Sequence, residues 1–168
     1  REFESCCRHH LTLSITMETI VVSFNLINSD YTCGLGFEIL HNNKKILGID
    51  HVRSPTPVTL TLDTVYGDHA LKFVLKNKTS DHTTIDDAGQ IVKDAYLSIT
   101  NFAFNEIELN NIFLKNCQYH HDFNGSKDPV VLPFYNDLGC NGEVVFCFKS
   151  PVYYWILETI PYRKSKHV

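Results

Sequence analysis

Methionine occurs once in these 168 residues, at Met17, and alanine is also scarce, which argues against a helical bundle. No run approaches the ~18 apolar residues of a membrane-spanning helix, so no membrane partner is expected. The first sixteen residues, REFESCCRHHLTLSIT, carry acids where a secretory signal needs positive charge, and they lack an unbroken apolar core. There is no GxSxG elbow, HExxH pair or GxxxxGK[ST] phosphate loop. Gly34-Leu35-Gly36 lacks a third glycine and precedes a strand-like run rather than a helix. Glu106 and Glu108, the nearest to a paired-carboxylate arrangement, flank Ile107 and read as one solvent face of a strand. The expectation is a protein that is not an enzyme.

Positive charge is short as well. Against 19 acidic residues stand 15 basic ones, and three of these fall in the tail Tyr162–Val168. Residues 1–162 are left with 12 basic against 19 acidic, a balance of −7. Such a body is repelled by phosphate backbones, so no nucleic-acid partner is expected. The six cysteines (Cys6, Cys7, Cys33, Cys117, Cys140, Cys147) form no CxxC. With no secretion signal, the four within the domain are expected to be reduced, mostly buried thiols made in a cytoplasm. The sequons at Asn77-Lys78-Thr79 and Asn124-Gly125-Ser126 then read as chance matches.

What the chain does have is aromatic and β-branched residues: 11 Phe and 8 Tyr, with many Val, Ile and Thr. These suit pleated, half-buried strands. The length suits one domain. Strand patterning starts right after Met17, so residues 1–16 are expected to be a dispensable leader, 17–160 the domain and 161–168 a basic tail.

The first strand reads over Thr19–Ile27. His41-Asn42-Asn43-Lys44 is a hairpin turn between Leu35–Leu40 and Lys45–Ile49. Ser54-Pro55-Thr56-Pro57 is expected to break pairing. Val58, Leu60 and Leu62 then alternate with Thr59, Thr61 and Asp63, and Leu71, Phe73 and Leu75 with Lys72, Val74 and Lys76. Ala95–Asn105 alternates again, and Glu106–Phe113, Glu143–Lys149 and Val152–Leu157 read as further strands. Asn116–Gly142 reads as loop-rich. No helix beyond two turns is expected. Nine or ten short strands point to an all-β fold, an antiparallel β-sandwich of jelly-roll type.

Chemistry concentrates in TSDHTTIDDAGQIVKDA, Thr79–Ala95. Asp81, Asp86, Asp87 and Asp94 could supply the oxygens that calcium requires, although not at EF-hand spacing. The alternative is a solvated hairpin with a tight turn at Asp86–Gln90. His120-His121-Asp122 resembles a metal cluster, but neighbours on a strand point to opposite faces, so a surface or structural pair is the simpler reading. Tyr66, Tyr119, Tyr135 and Trp155 (with Tyr31) sit near loops or strand ends, where rings stack on sugars or anchor partners.

Tyr66–Asp94, YGDHALKFVLKNKTSDHTTIDDAGQIVKD, and the closing FKSPVYYWILE resemble small β-sandwich proteins of marine tailed bacteriophages, especially of cyanobacterial hosts. Those are similar in turn to calcium-dependent xylan-binding modules of jelly-roll fold. The resemblance spans roughly residues 17–160. It implies a non-catalytic module binding a glycan or host-surface polysaccharide, with calcium as a candidate cofactor. The alternative it implies is a virion structural or assembly protein, partnered by other virion proteins and made in the host cytoplasm.

Overall fold

The computed structural model describes residues 16–160. The expected leader, apart from Thr16, and the expected basic tail lie outside the described residues. The described chain is all-β with antiparallel sheets.

One sheet has the order β12-β8-β1-β4, from Asp137–Leu138, Leu97–Phe104, Met17–Asn28 and Thr56–Val65, with β9 (Ile107–Glu108) also pairing with β8. The other has six strands in the order β11-β10-β13-β5-β2-β3. These are Val130–Pro133, Cys117–His121, Gly142–Ser150, Gly67–Lys76, Gly36–His41 and Lys44–Ile49. A separate hairpin joins β6 (Thr83–Ile85) to β7 (Ile91–Asp94), after a single 3-10 turn at Ser80–His82.

Local chemistry explains several turns. Asn42 and Asn43 take φ of 47° and 66° between β2 and β3, the left-handed conformation that asparagine tolerates, as the sequence predicts. Asn101, at φ 56°, is the extra residue of a bulge where β8 passes β1. The bulge resets the alternation, so Leu97 and Ile99 before it and Phe102 and Phe104 after it all reach the core. Pro57 corrects an expectation. Thr56 and Pro57 belong to β4, Pro57 opposite Asn25, because β4 is an edge strand where a missing donor is harmless.

Two further corrections concern helices. Val152–Leu157 is not a strand; Val152–Thr159 is the helix α2. Val152, Trp155 and Ile156 are buried at helical spacing while Tyr153, Tyr154 and Leu157 are exposed. Asn110–Asn116 likewise forms a short helix, α1, with Phe113 buried, so Glu106–Phe113 is a turn, a two-residue strand and a helix start. The stretch Asn116–Gly142, expected to be loop-rich, contributes β10, β11 and β12.

The core is a web of phenylalanines from both sheets. Phe24 of β1 meets Phe73 of β5 edge-on at 5.7 Å, and Phe102 of β8 meets Phe146 of β13 at 5.3 Å. Phe113 from α1 stacks on Phe102 at 4.1 Å.

Glu18 ties the first strand to the last helix. Its Oε2 accepts hydrogen bonds from Ser150 Oγ (2.7 Å) and from the Val152 backbone N–H (2.8 Å). A carboxylate there satisfies an otherwise unpaired amide at the start of α2 and complements the helix dipole. Thr64 Oγ1 lies 3.0 Å from Ser150 Oγ, and both residues are buried. Glu18→Ala is therefore expected to destabilise the fold by about 1–2 kcal/mol in urea unfolding. A loss below about 0.5 kcal/mol would show that the cap contributes little.

Candidate functional site

The acidic segment folds as the hairpin alternative described. Asp86 begins the turn. Its Oδ1 accepts from the backbone N–H groups of Ala88 (3.0 Å) and Gln90 (2.8 Å), and Gly89 takes φ 78°. Asp87 and Asp81 are exposed. Asp94 Oδ1 accepts from Lys78 Nζ and from Thr83 Oγ1, both at 2.6 Å.

Lys78, 5% exposed, also donates to the Gly139 carbonyl. Asp94 is thus the counter-ion of a buried lysine, holding the hairpin against the loop before β13. Among the described residues, no three His, Cys, Asp or Glu side chains gather as a metal group. Asp86 and Asp94 each commit Oδ1 to the fold, Asp86 to the turn and Asp94 to Lys78 and Thr83, while Asp81 and Asp87 stand exposed.

The predicted aromatics are dispersed. Tyr135 is 75% exposed and lines a groove between α1 and β11, and Tyr66 and Tyr31 are also exposed. Tyr119 is buried, with its hydroxyl donating to the Cys140 carbonyl (2.5 Å) and accepting from the Cys140 N–H (2.8 Å). Burial pushes its phenol pKa well above the usual value, and its two hydrogen bonds tie the Cys140 backbone to β10. His120 and His121 point to opposite faces of β10, as strand geometry requires. His121 packs against Tyr119 and Phe123, and burial lowers its pKa. Glu106, in a turn at φ 68°, and Glu108, in β9, are both exposed.

Trp155 differs from the other predicted aromatics. It packs on Phe146 (5.7 Å) and Phe148 (6.3 Å), and it lines a groove of about 450 Å³ with Asn42, Asp68, His69, Ala70, Cys147, Phe148 and Lys149. Two strand ends and the hairpin turn supply these groups. Asp68 and His69 start β5, Lys149 ends β13, and the two strands pair Lys149 with Asp68 in register. Their side chains lie 3.7 Å apart in solvent, a weak pair that a ligand can displace.

Hydrogen bonds fix the polar groups beside Trp155. The Ala70 N–H donates to Asn42 Oδ1 at 2.9 Å, which leaves Asn42 Nδ2 to donate to His69 Nδ1 at 3.1 Å. His69 Nδ1 is therefore an acceptor, and Nε2–H donates to the Val65 carbonyl at 2.7 Å. His41 Nε2 lies 3.1 Å from the same Nδ1. Burial, followed by repulsion from His69, lowers the His41 pKa. The result is a pre-set polar wall beside an indole.

Sequence reasoning selected Trp155 but missed Asn42, Asp68, His69 and Lys149, which read as turn and strand-end residues. The one available signal was the polar run Gly67-Asp68-His69 beside a hairpin turn.

Cys147 is also in this wall, and its exposure corrects the expectation of a buried thiol. The alternation of β13 sends Phe146 and Phe148 inward and Cys147 outward. Cys33, Cys117, Cys140 and Cys147 are all free. Burial raises the Cys117 thiol pKa strongly and those of Cys33 and Cys140 to a lesser degree. Maleimide labelling of the native protein, followed by peptide mass spectrometry, is expected to mark Cys147 first of these four and Cys117 last. Prompt labelling of Cys117 would contradict the packing described.

No protein-family model, curated protein or solved structure matches the chain.

Proposed function

We propose that this chain is a non-catalytic β-sandwich module of jelly-roll type that binds a glycan in the groove beside Trp155. The observation that carries the reading is the joint lining of one groove of about 450 Å³ by an indole, a fixed amide and a loosely paired carboxylate and lysine. A sugar presents C–H faces to aromatic rings and hydroxyls to polar groups; this lining offers the exposed Asp68 and Lys149 beside the outer part of a largely buried indole. The volume lies in the range of small-ligand sites. The sequence resemblance suggests a host-surface polysaccharide as the glycan class, with a virion as the setting.

Calcium has no part in this reading, which sets the glycan in the Trp155 groove and not at the acidic hairpin. Glycan-array retention is expected for the wild type, with and without chelator, and it is expected to drop for Asp68→Ala, an exposed residue whose loss leaves the fold alone. Equal retention by wild type and variant would remove the groove from the site.

A second reading, assembly with other virion proteins, is favoured by the β6–β7 hairpin. Ile85, Ile91 and Val92 are 58%, 63% and 62% exposed there. Such an arm suits protein contact better than sugar. Failure to bind any glycan, together with co-sedimentation with particles, would favour it.

A further inference from the structure

Sheet edges in this fold are mostly protected. β3 carries Lys44 and Lys45 and holds a bulge at Ile46 in its pairing with β2. β11 ends in Pro133, and β9 and β12 have two residues each. The edge strand β4 has fewer of these defences, its one proline, Pro57, standing at its start. It runs ten residues, TPVTLTLDTV, with no lysine or arginine and no bulge in its register with β1.

Among the described residues β4 has no partner on its second side, and the groups that face that side can be read from the ladder. Tyr66 N–H donates to the Thr16 carbonyl at 3.1 Å, which continues the β1–β4 pairing by one step. Val21, the partner of Thr61, turns its N–H and C=O away from β4, to Asn105. Even-numbered residues of β4 therefore bond to β1, while Pro57, Thr59, Thr61 and Asp63 turn their backbone groups to the open edge. Pro57 fits this assignment, because its missing N–H falls on the unpaired side.

We propose that this edge pairs with the same edge of a second copy of the chain, antiparallel about a two-fold axis at Leu60. In that register each Thr59 exchanges both backbone hydrogen bonds with Thr61 of the second copy. The Asp63 N–H meets the carbonyl of Pro57, so the donor that proline lacks is the only one missing. On the inner face Val58 meets Leu62, and Leu60, half-exposed at the edge, meets its symmetry mate. The strand's only charge, Asp63, stays about 20 Å along the strand axis from its counterpart, so like charges do not meet. Both copies join one continuous sheet, with the two Trp155 grooves kept as separate sites on one dimer.

Sedimentation of the wild-type chain across micromolar concentrations is expected to show a monomer–dimer equilibrium. Thr61→Pro removes edge donors while keeping an edge-compatible residue, and it is expected to raise the dimer dissociation constant at least about tenfold. Should Thr61→Pro fail to fold, Leu60→Cys in a Cys147→Ser background decides the matter. Mild oxidation is expected to form a disulfide joining the two position-60 thiols, located by peptide mass spectrometry. A wild-type monomer at every concentration, a dimer unmoved by folded Thr61→Pro, or no position-60 disulfide would overturn the proposal. So would a monomer that takes up an added extended peptide on this edge instead.

Discussion

Phe102→Ala is expected to destabilise the domain by about 4 kcal/mol, close to the upper end for a buried phenylalanine. Phe102 is 1% exposed and lies within ring-contact distance of Phe24, Phe73, Phe104, Phe113 and Phe146. It thus joins one sheet to the other and α1 to both. Removing the ring leaves a cavity whose walls belong to four different strands and a helix, and such a site has little freedom to collapse. Phe102→Leu, which keeps most of the volume, is expected to cost only about 1–1.5 kcal/mol. Urea unfolding of the three proteins checks both figures. A loss under about 2 kcal/mol for the alanine variant would mean that the two sheets do not share the core described.

Asp94→Asn is the second large effect, expected at about 3 kcal/mol. Lys78 is nearly buried, and its ammonium would keep only the Gly139 carbonyl and a neutral amide as partners. Removing one member of such a pair leaves an uncompensated buried charge, commonly worth about 3–5 kcal/mol. Asp94 is about one-quarter exposed on its side chain, and water there moderates the loss towards the lower figure.

The reverse change behaves differently. Lys78→Met removes the buried charge and leaves a carboxylate that water and Thr83 can satisfy, so a loss under about 1.5 kcal/mol is expected. The double variant should then resemble Lys78→Met alone. If Asp94→Asn were neutral instead, the hairpin would be anchored by something other than this ion pair.

The contrast between the hairpin at Asn42-Asn43 and the helix at Val152–Thr159 shows what the sequence could convey. The asparagine turn rests on local backbone preference, and β5 rests on strict alternation through Leu71, Phe73 and Leu75; both are legible in a few adjacent residues. In α2 the apolar, aromatic-rich composition speaks for a strand. The start of the helix is set by Glu18, which lies 134 positions away in the chain. Asn101 was hidden for a related reason, since a bulge shows only when its partner strand is present.

Of the candidate site, Trp155 was legible because a lone tryptophan near a strand end is conspicuous. Asn42 was legible only as a turn, and its second role as the residue that sets the His69 tautomer depends on β2 meeting β5. The aspartates show a role that sequence could not convey: folding gives Asp86 Oδ1 to a turn and Asp94 Oδ1 to the buried Lys78, a partner sixteen positions away.

The central claim is that a glycan occupies the groove beside Trp155, and this tryptophan is the only one in the chain. Intrinsic fluorescence therefore reports on that groove without labelling. Titration with a glycan retained on an array is expected to give a saturable change in tryptophan emission. The change should be unaltered by chelator and weakened at least about tenfold in apparent affinity by Asp68→Ala. Binding of that glycan with no change in emission would place it elsewhere on the molecule and contradict the account.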